Sequence, residues 1–231
     1  MWSDHTRDRV LHHVEAELLA GRLRVGDRLP GERTLAAELG ISRASVREGI
    51  RVLEAMGVIR TAVGSGPDAG AVVVADTSAG ITSALRLHLA SNTLPVADVV
   101  RTRVLLETWA VREAARRPAK GQLAAARALL DKMDETDAVE DFLHLDAEFH
   151  VTLSRAAGNA VVAAIMTALR GAIHGYVLAA AATSQSDWPP MARRLRRQHR
   201  NVLAAVEAGD GDRAARLVGR HIEDFYRTTR L

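Results

Sequence analysis

The amino-acid sequence predicts a mainly α-helical protein of two domains, and three observations lead to this fold class. The 231 residues include 41 alanines and 29 arginines but only 17 glycines and 6 prolines, and alanine and arginine are among the best helix formers. Apolar residues recur at helical spacing along most of the chain. The exception is a pair of short β-rich runs after the third predicted helix. A chain of this length corresponds to one or two domains.

The N-terminal part begins with three helices. Apolar residues at helical spacing predict a helix over about 3–20, and a connector punctuated by Gly26 and Pro30 follows it. The second helix is predicted over about 31–39, with Gly40 as the residue that ends it. Ser42 is a good N-cap for a third helix that continues to Ala55. Two short helices joined by a tight turn indicate a helix-turn-helix.

Two strands and a boundary follow the third helix. The runs 58–63 and 71–74 are β-rich, and a glycine-rich tip separates them. Such a hairpin directly after a helix-turn-helix forms a wing. The segment 75–80 is small and polar, which favours a domain boundary there. We therefore predict a winged helix-turn-helix domain over 1–75, a linker over 76–80 and a second domain over 81–231.

The sequence pattern predicts helices along the whole second domain. Glycine, proline and polar breaks divide it into about seven helices, which predicts an all-α antiparallel bundle. The predicted helices cover 78–92, 95–117, 120–135, 138–157, 159–183, 189–208 and 211–230.

Composition narrows the classes of protein that remain. No apolar stretch reaches the roughly 18 residues that a membrane span needs, so we expect no membrane partner and a cytoplasmic protein. The chain has no cysteine, which excludes a disulfide scaffold, a thiolate zinc site and a cysteine nucleophile. The net charge of +3 does not by itself indicate nucleic acid, because the N-terminal domain carries no basic excess.

Candidate DNA-binding residues lie at the start of the third helix. Arg43 and Arg47 share one face at i,i+4 spacing, with Ser42 and Ser45 beside them and Arg33 early in the second helix. The N-terminal turn of a recognition helix enters the major groove, where an arginine can bind guanine bidentately. An isolated pair of this kind is more often an ordinary solvated face. The wing-tip glycines Gly64 and Gly66 would allow the wing to approach the sugar-phosphate backbone closely.

The whole segment 20–56 resembles the winged helix of the GntR family of bacterial transcription regulators. Most of its residues match the family pattern G-x-L-x-x-G-D-x-L-P-S-E-R-x-L-A-x-x-L-G-V-S-R-x-x-V-R-E-A-L-x-x-L at fixed spacing. The resemblance implies operator binding through Arg33, Ser42, Arg43, Ser45 and Arg47, with the wing around Gly64 and Gly66 in the minor groove. The sequence departs from the pattern in its longer wing and at two glycines, Gly31 for serine and Gly49 for alanine.

A second constellation lies in the C-terminal domain. Asp146 and His150 are spaced i,i+4 on one predicted helix, and His199 and His221 come from two later helices. One carboxylate and three imidazoles suit Zn²⁺, Ni²⁺, Mn²⁺ or Fe²⁺ and leave positions for water or a ligand. Taken alone, an Asp/His pair of this spacing is more often a local hydrogen bond.

The surroundings of these residues resemble the FCD effector domain of FadR-like GntR regulators. The motifs D-x-x-F-H-x-x-L-x-x-A-x-G-N, which starts at Asp146, and H-x-x-V-x-x-A-V-x-x-G-D-x-x-x-A, which starts at His199, carry the resemblance. It implies a divalent transition metal held by Asp146, His150, His199 and His221. It also implies a cavity for a small effector, commonly a carboxylate, with Arg103 able to pair with that carboxylate.

These observations together predict a ligand-responsive DNA-binding regulator, a repressor by expectation and not an enzyme. It would bind a pseudo-palindromic operator as a homodimer, since one recognition helix covers too few base pairs for specificity. Two alternatives remain open. The C-terminal domain could be a metal-free pocket for an acyl-CoA or another organic ligand, or the ligand set could belong to a metal-dependent hydrolase.

Overall fold

The computed structural model describes residues 8–62, 70–117, 120–183 and 188–229. The described residues form ten helices and one two-stranded sheet, which confirms the predicted mainly α fold class. In chain order the elements are α1 (Asp8–Leu19), α2 (Glu32–Leu39), α3 (Arg43–Ala55), β1 (Ile59–Ala62), β2 (Gly70–Val73), α4 (Ala79–Ala90), α5 (Val96–Arg116), α6 (Lys120–Glu135), α7 (Val139–Ala156), α8 (Ala160–Thr183), α9 (Trp188–Glu207) and α10 (Gly211–Thr229).

The chain divides into two compact units, Met1–Ile81 and Thr82–Leu231. In the first, α2 ends at Gly40, whose φ of 60° is the left-handed conformation that favours glycine. Strands β1 and β2 pair antiparallel, with Ile59 opposite Val73. The core is formed by apolar residues of α1, α2, α3, both strands and the connector before α2, chiefly Val10, Val14, Leu29, Leu35, Val46, Leu53, Ile59, Ala71 and Val73.

The second unit is a helical bundle in which α5 packs against α7, α8, α9 and α10, and α6 packs against α7 and α9. Its core is built from apolar side chains of these helices, including the buried Phe142, Phe149, Leu195 and Ile222. Helices α5, α7, α8, α9 and α10 therefore bring the chemically active residues of distant sequence segments into one interior.

Helix α8 overturns one sequence-based statement. Its segment Ala160–Ala181 is long and apolar enough to cross a membrane by length and composition, with a mean hydropathy of 1.5. The prediction that no apolar stretch reaches this length was wrong, because Arg170 and His174 are too few polar residues to lower the mean hydropathy of the segment. In the structure the helix supplies buried residues such as Met166 and Ile173 to the bundle core, and 39% of the apolar window is buried.

The structure explains why glycine stands at position 49 of the recognition helix. Gly49 is buried where α3 meets α1, and a Cβ built there would lie 2.6 Å from Cβ of Val10. This distance is far below a van der Waals contact, so an alanine would force the two helices apart. The helix-propensity cost of glycine, about 1 kcal/mol, is therefore offset by closer packing of α1 on α3.

We expect Gly49→Ala to lower the free energy of unfolding by about 1–3 kcal/mol, because overpacking outweighs the gain in helix propensity. Urea denaturation followed by circular dichroism measures the change. Gly175→Ala is the matched control, since that helical glycine has open space around it and its replacement should not destabilise. In a Val10→Gly background the Gly49→Ala change should lose its cost; an unchanged cost there would contradict this explanation.

Candidate functional site

The N-terminal turn of α3 is organised by two serines. Ser42 has extended backbone geometry and its hydroxyl accepts a hydrogen bond of 3.0 Å from the backbone N–H of Ser45. The two hydroxyls also lie 2.9 Å apart. Ser42 therefore satisfies one of the free N–H groups that begin a helix. The start of the helix is capped and exposed to solvent, so it is accessible to a DNA groove.

Arg43 and Arg47 extend from the exposed face of this helix. Their side chains are 65% and 56% exposed, and each guanidinium lies near Glu32 of α2, with N–O distances of 3.8 and 3.9 Å. Contacts this long between exposed groups contribute little to stability. Both arginines can therefore leave Glu32 for a DNA base or phosphate at small cost.

Of the other residues predicted to contact DNA, the structure describes Arg33 but not the two wing-tip glycines. Arg33 is exposed at the second position of α2, within the same helix-turn-helix as Arg43. Gly64 and Gly66 lie outside the described residues, so the predicted wing-tip contacts stay a prediction. The wing is described only at its base, where Ala62 pairs with Gly70.

In the second unit, α7, α9 and α10 bring Asp146, His150, His199 and His221 together. One possible ligand atom from each residue lies within 4.8 Å of the others. The Nε2 atoms of His150 and His199 are 3.3 Å apart, and those of His199 and His221 are 3.1 Å apart. Asp146 Oδ1 lies 3.0 Å from His199 Nε2 and 3.7 Å from His150 Nε2. All three imidazoles are buried.

The second ring nitrogens of these histidines have different partners. His150 Nδ1 lies 2.5 Å from Glu107 Oε2. His221 Nδ1 lies 3.1 Å from Gln198 Oε1. Among the described residues, His199 Nδ1 is buried without a hydrogen-bond partner. The rings of His150 and His221 thus have acceptors behind them and turn their Nε2 atoms towards the cluster.

Two arginines surround the same cluster. Arg103 of α5 contacts Glu107 through Nε and Nη2, each 3.0 Å from Oε1, and donates through Nη1 to the hydroxyl of Tyr226 at 2.6 Å. Arg170 of α8 contacts Asp146 at 2.7 Å and lies 3.7 Å from Glu107. Arg103, Glu107 and Arg170 are all buried.

The electrostatics set the protonation states that metal binding needs. Burial, with a further contribution from the nearby Arg170 and against the opposing effect of Glu107, lowers the pKa of His150 to about 4. Burial, together with His199 and His150, also holds the pKa of His221 well below its usual value. Burial raises the pKa values of Glu107 and Asp146, but the neighbouring cationic groups outweigh it and both pKa values lie below normal. At neutral pH these two imidazoles are neutral and the carboxylates are ionised, which is the ligating state.

These shifts predict how the stability of the metal-free protein depends on pH. His150 and His221 take up protons near pH 6.5 when unfolded but only at lower pH when folded. The unfolding free energy is therefore fully present above pH 6.5 and falls towards pH 4, by about 1.4 kcal/mol per pH unit for each histidine. Urea denaturation of chelator-treated protein between pH 7 and 4 tests this. The His150→Gln/His221→Gln variant should give a flatter profile, and a flat wild-type profile would contradict the prediction.

A small cavity adjoins the cluster, with a volume of about 40 Å³. The polar part of its lining includes Arg103, Asp146, Arg170 and His221. The remaining lining is mostly apolar, with Leu143, Ala147, Ile173, His174, Val177, Ile222, Phe225 and Tyr226. The cavity thus offers cationic side chains at the cluster and an apolar wall opposite.

Sequence reasoning missed Glu107, Arg170 and Gln198. A signal for the first was present, because Arg103 and Glu107 occupy the apolar stripe of α5 between Val99 and Ala110, where charged residues are unexpected. Arg170 is the one Asp, Glu, Lys or Arg residue in the 24-residue sequence of α8. The sequence of α9 contains no comparable signal for Gln198.

A helix-turn-helix with a two-stranded wing, followed by a helical bundle, is the architecture of a DNA-binding regulator. Residues 6–67 match the family described as bacterial regulatory proteins, gntR family, and residues 98–224 match the FCD domain. The chain belongs to the GntR family, and it is a transcription regulator with an FCD domain.

Curated relatives agree with this assignment. The chain is 30% identical over 206 residues to the Glc operon transcriptional activator of Escherichia coli K12, covering 85% of this chain and 78% of the relative. It is 27% identical over 203 residues to the HTH-type transcriptional repressor NanR of Edwardsiella tarda, covering 87% and 76%. Among solved structures, a GntR protein of Streptococcus agalactiae shares the fold, with a TM-score of 0.68 and 24% identity over 96% of this chain and 98% of that one.

Proposed function

We propose that the protein is a cytoplasmic, homodimeric regulator whose affinity for a pseudo-palindromic operator is controlled by a small carboxylate bound beside a divalent transition metal. Residues 1–75 would read DNA, 76–80 would connect, and 81–231 would bind metal and effector. The observation that carries the proposal is the convergence of three imidazoles and a carboxylate beside a cavity lined by two buried arginines.

The DNA-reading part rests on the exposed start of α3. Arg43 and Arg47 would contact base edges, while Ser42, Ser45 and Arg33 would contact phosphates or position the helix. Two copies of the protein would read two half-sites one helical turn apart, which supplies the specificity that a single recognition helix lacks. The named relatives include an activator and a repressor, so they allow either direction of control. Repression is our expectation for this chain, and activation is its alternative.

The donor set fits a transition metal. Ligands about 2.0–2.1 Å from a zinc ion lie roughly 2.8–3.4 Å from their neighbours in an octahedral or tetrahedral shell. The Nε2–Nε2 distances of 3.1 and 3.3 Å and the Asp146–His199 distance of 3.0 Å lie in this range, and the Asp146–His150 distance of 3.7 Å is slightly longer. Neutral imidazole lone pairs at such separations repel one another unless a proton or a cation lies between them. Asp146, His150, His199 and His221 would hold Zn²⁺, Ni²⁺, Mn²⁺ or Fe²⁺, which supplies a Lewis-acidic contact for the effector.

Charge balance in the cavity favours an anionic effector. The cationic Arg103 and Arg170 are matched by the anionic Glu107 and Asp146, so the set is neutral when the histidines are neutral. A divalent cation adds two positive charges to this buried set. An anion in the adjoining cavity compensates part of that charge, and its binding should therefore depend on the metal.

The cavity volume supports a small effector. The space of about 40 Å³ is far smaller than the roughly 300–1,000 Å³ of pockets for larger organic ligands, so it favours the smallest effectors. An acyl-CoA would require the bundle to open widely. The hydrolase alternative is disfavoured by Glu107, because this carboxylate, which could otherwise serve as a base, is engaged by Arg103 and has a lowered pKa.

A thermal-shift screen tests the sensory part of the proposal. Metal-loaded and chelator-treated protein would each be heated with two- to four-carbon carboxylates and, separately, with a medium-chain acyl-CoA. We expect a rise in melting temperature with one or more carboxylates in the metal-loaded protein alone. A rise with acyl-CoA in the chelator-treated protein, without any carboxylate response, would favour the metal-free alternative.

A further inference from the structure

The feature that the proposed function leaves unused is the buried carboxylate of Glu107. It lies on α5, which contributes none of the four possible metal ligands, and its side chain is 2% exposed. One oxygen, Oε2, lies 2.5 Å from Nδ1 of His150. Both atoms are buried, and among the described residues neither has a partner that meets the geometry of a hydrogen bond, so the polar contact of each is this close approach to the other. The contact is therefore between two buried polar groups that depend on one another.

We propose that Glu107 is a positioning residue for the metal centre, which keeps the proton of His150 on Nδ1 and so leaves Nε2 free to bind the metal. This inference rests on the proposed metal site. Imidazole binds a metal through a nitrogen without a proton, and a neutral ring carries its single proton on the other nitrogen. An ionised carboxylate behind Nδ1 selects that tautomer and makes the ring a better ligand.

The surroundings of Glu107 fix which oxygen serves His150. Arg103 approaches the other oxygen, Oε1, through both Nε and Nη2 at 3.0 Å, and Arg170 Nη2 lies 3.7 Å from the same atom. The two arginines therefore anchor Oε1 and direct Oε2 to the histidine. Because both arginines only donate hydrogen bonds, the group at the Oε1 position must be an acceptor.

The three ligand rings also differ in what lies behind their Nδ1 atoms. His221 has the neutral amide oxygen of Gln198 behind it, at 3.1 Å, and His199 Nδ1 has no hydrogen-bond partner in the described part of the chain. Within that part, Glu107 is the one carboxylate in contact with an Nδ1 atom of the three rings. The carboxylate charge of Glu107 therefore acts on the metal ligands through its contact with His150.

The isosteric substitution Glu107→Gln gives a sharp test. The amide oxygen would turn to the two arginines and leave the NH₂ group against His150 Nδ1, so that the proton of the ring would move to Nε2. We expect Zn²⁺ affinity, measured by competition with a chromophoric chelator, to fall about 10- to 100-fold. NMR of protein labelled with ¹⁵N-histidine should show the His150 proton on Nδ1 in the wild type and on Nε2 in the variant, both without metal.

Glu113→Gln is the matched control, because Glu113 is on the same helix and bonds an arginine, Arg116, at 2.6 Å. It should change neither the Zn²⁺ affinity nor the tautomer of His150. A Glu107→Gln protein that binds Zn²⁺ within about threefold of the wild type and keeps the proton on Nδ1 would overturn the inference. A wild type that binds no Zn²⁺ would instead overturn the metal site itself, and the inference with it.

Discussion

The Asp146→Ala/His150→Ala variant is expected to purify without a transition metal, whereas the wild type should carry about one equivalent per chain. The substitution removes two of the four ligand atoms that converge in the bundle, and both come from one face of α7. Two remaining imidazoles cannot hold a divalent ion tightly against chelation by buffer and water. Inductively coupled plasma mass spectrometry of protein purified without chelator measures the metal content.

The control for this prediction lies on the same helix. His144 and Glu148 also form an i,i+4 pair, 3.4 Å apart, but their side chains are 68% and 51% exposed. His144→Ala/Glu148→Ala should leave the metal content unchanged. A second variant, Asp146→Asn/His150→Gln, preserves side-chain volume beside Arg170 and separates metal loss from misfolding.

The two variants that change Asp146 and His150 should lose the response of DNA binding to the effector, but they should retain DNA binding itself. The reason is that the winged helix-turn-helix has its own core and the ligands all lie in the other unit. Full metal occupancy in the double variant would refute the site. No metal in the wild type, and none after reconstitution, would favour a metal-free organic pocket.

Arg43→Ala and Arg47→Ala should each remove most of the preference for the operator over unrelated DNA. A bidentate arginine–guanine contact is worth about 1–3 kcal/mol of discrimination, or roughly a 5- to 150-fold change in the specificity ratio. The ratio of dissociation constants for a selected operator and a scrambled duplex, measured at one salt concentration, reports this change.

Arg51→Ala is the matched control, since it removes the same charge one turn further along the exposed face of α3. It should lower affinity for both duplexes together and leave the ratio unchanged. If Arg43→Ala and Arg47→Ala behave in the same way as Arg51→Ala, the two arginines contact only the DNA backbone. In that case, the readout of bases must be assigned to other residues.

The element boundaries were predictable because their signals are local. Gly40 can adopt the left-handed conformation that ends α2, and the Ser42 hydroxyl caps α3. Pro95 precedes the first residue of α5, where the absence of its N–H costs no helical hydrogen bond. Such signals act over a few residues, so the helices of the bundle could be predicted closely from the sequence.

The partners of buried charges were not predictable in this way. Glu107 and His150 are 43 positions apart in the sequence, and no local pattern reports that one lies behind the other. Arg170 was visible as a lone charge in an apolar helix, but its contact with Asp146 depends on how α8 packs against α7. The cavity volume likewise follows from side chains of several helices.

The sequence by itself determined the family, the helix-turn-helix and the succession of helices, because capping, helix propensity and apolar periodicity act locally. Only the tertiary structure decided which groups lie behind the possible metal ligands and why Gly49 cannot be alanine. These features depend on distances between segments that are remote in sequence, such as the 2.6 Å from Val10 to an added Cβ at Gly49. In a close-packed interior such distances decide whether a side chain fits and which atoms can share a proton.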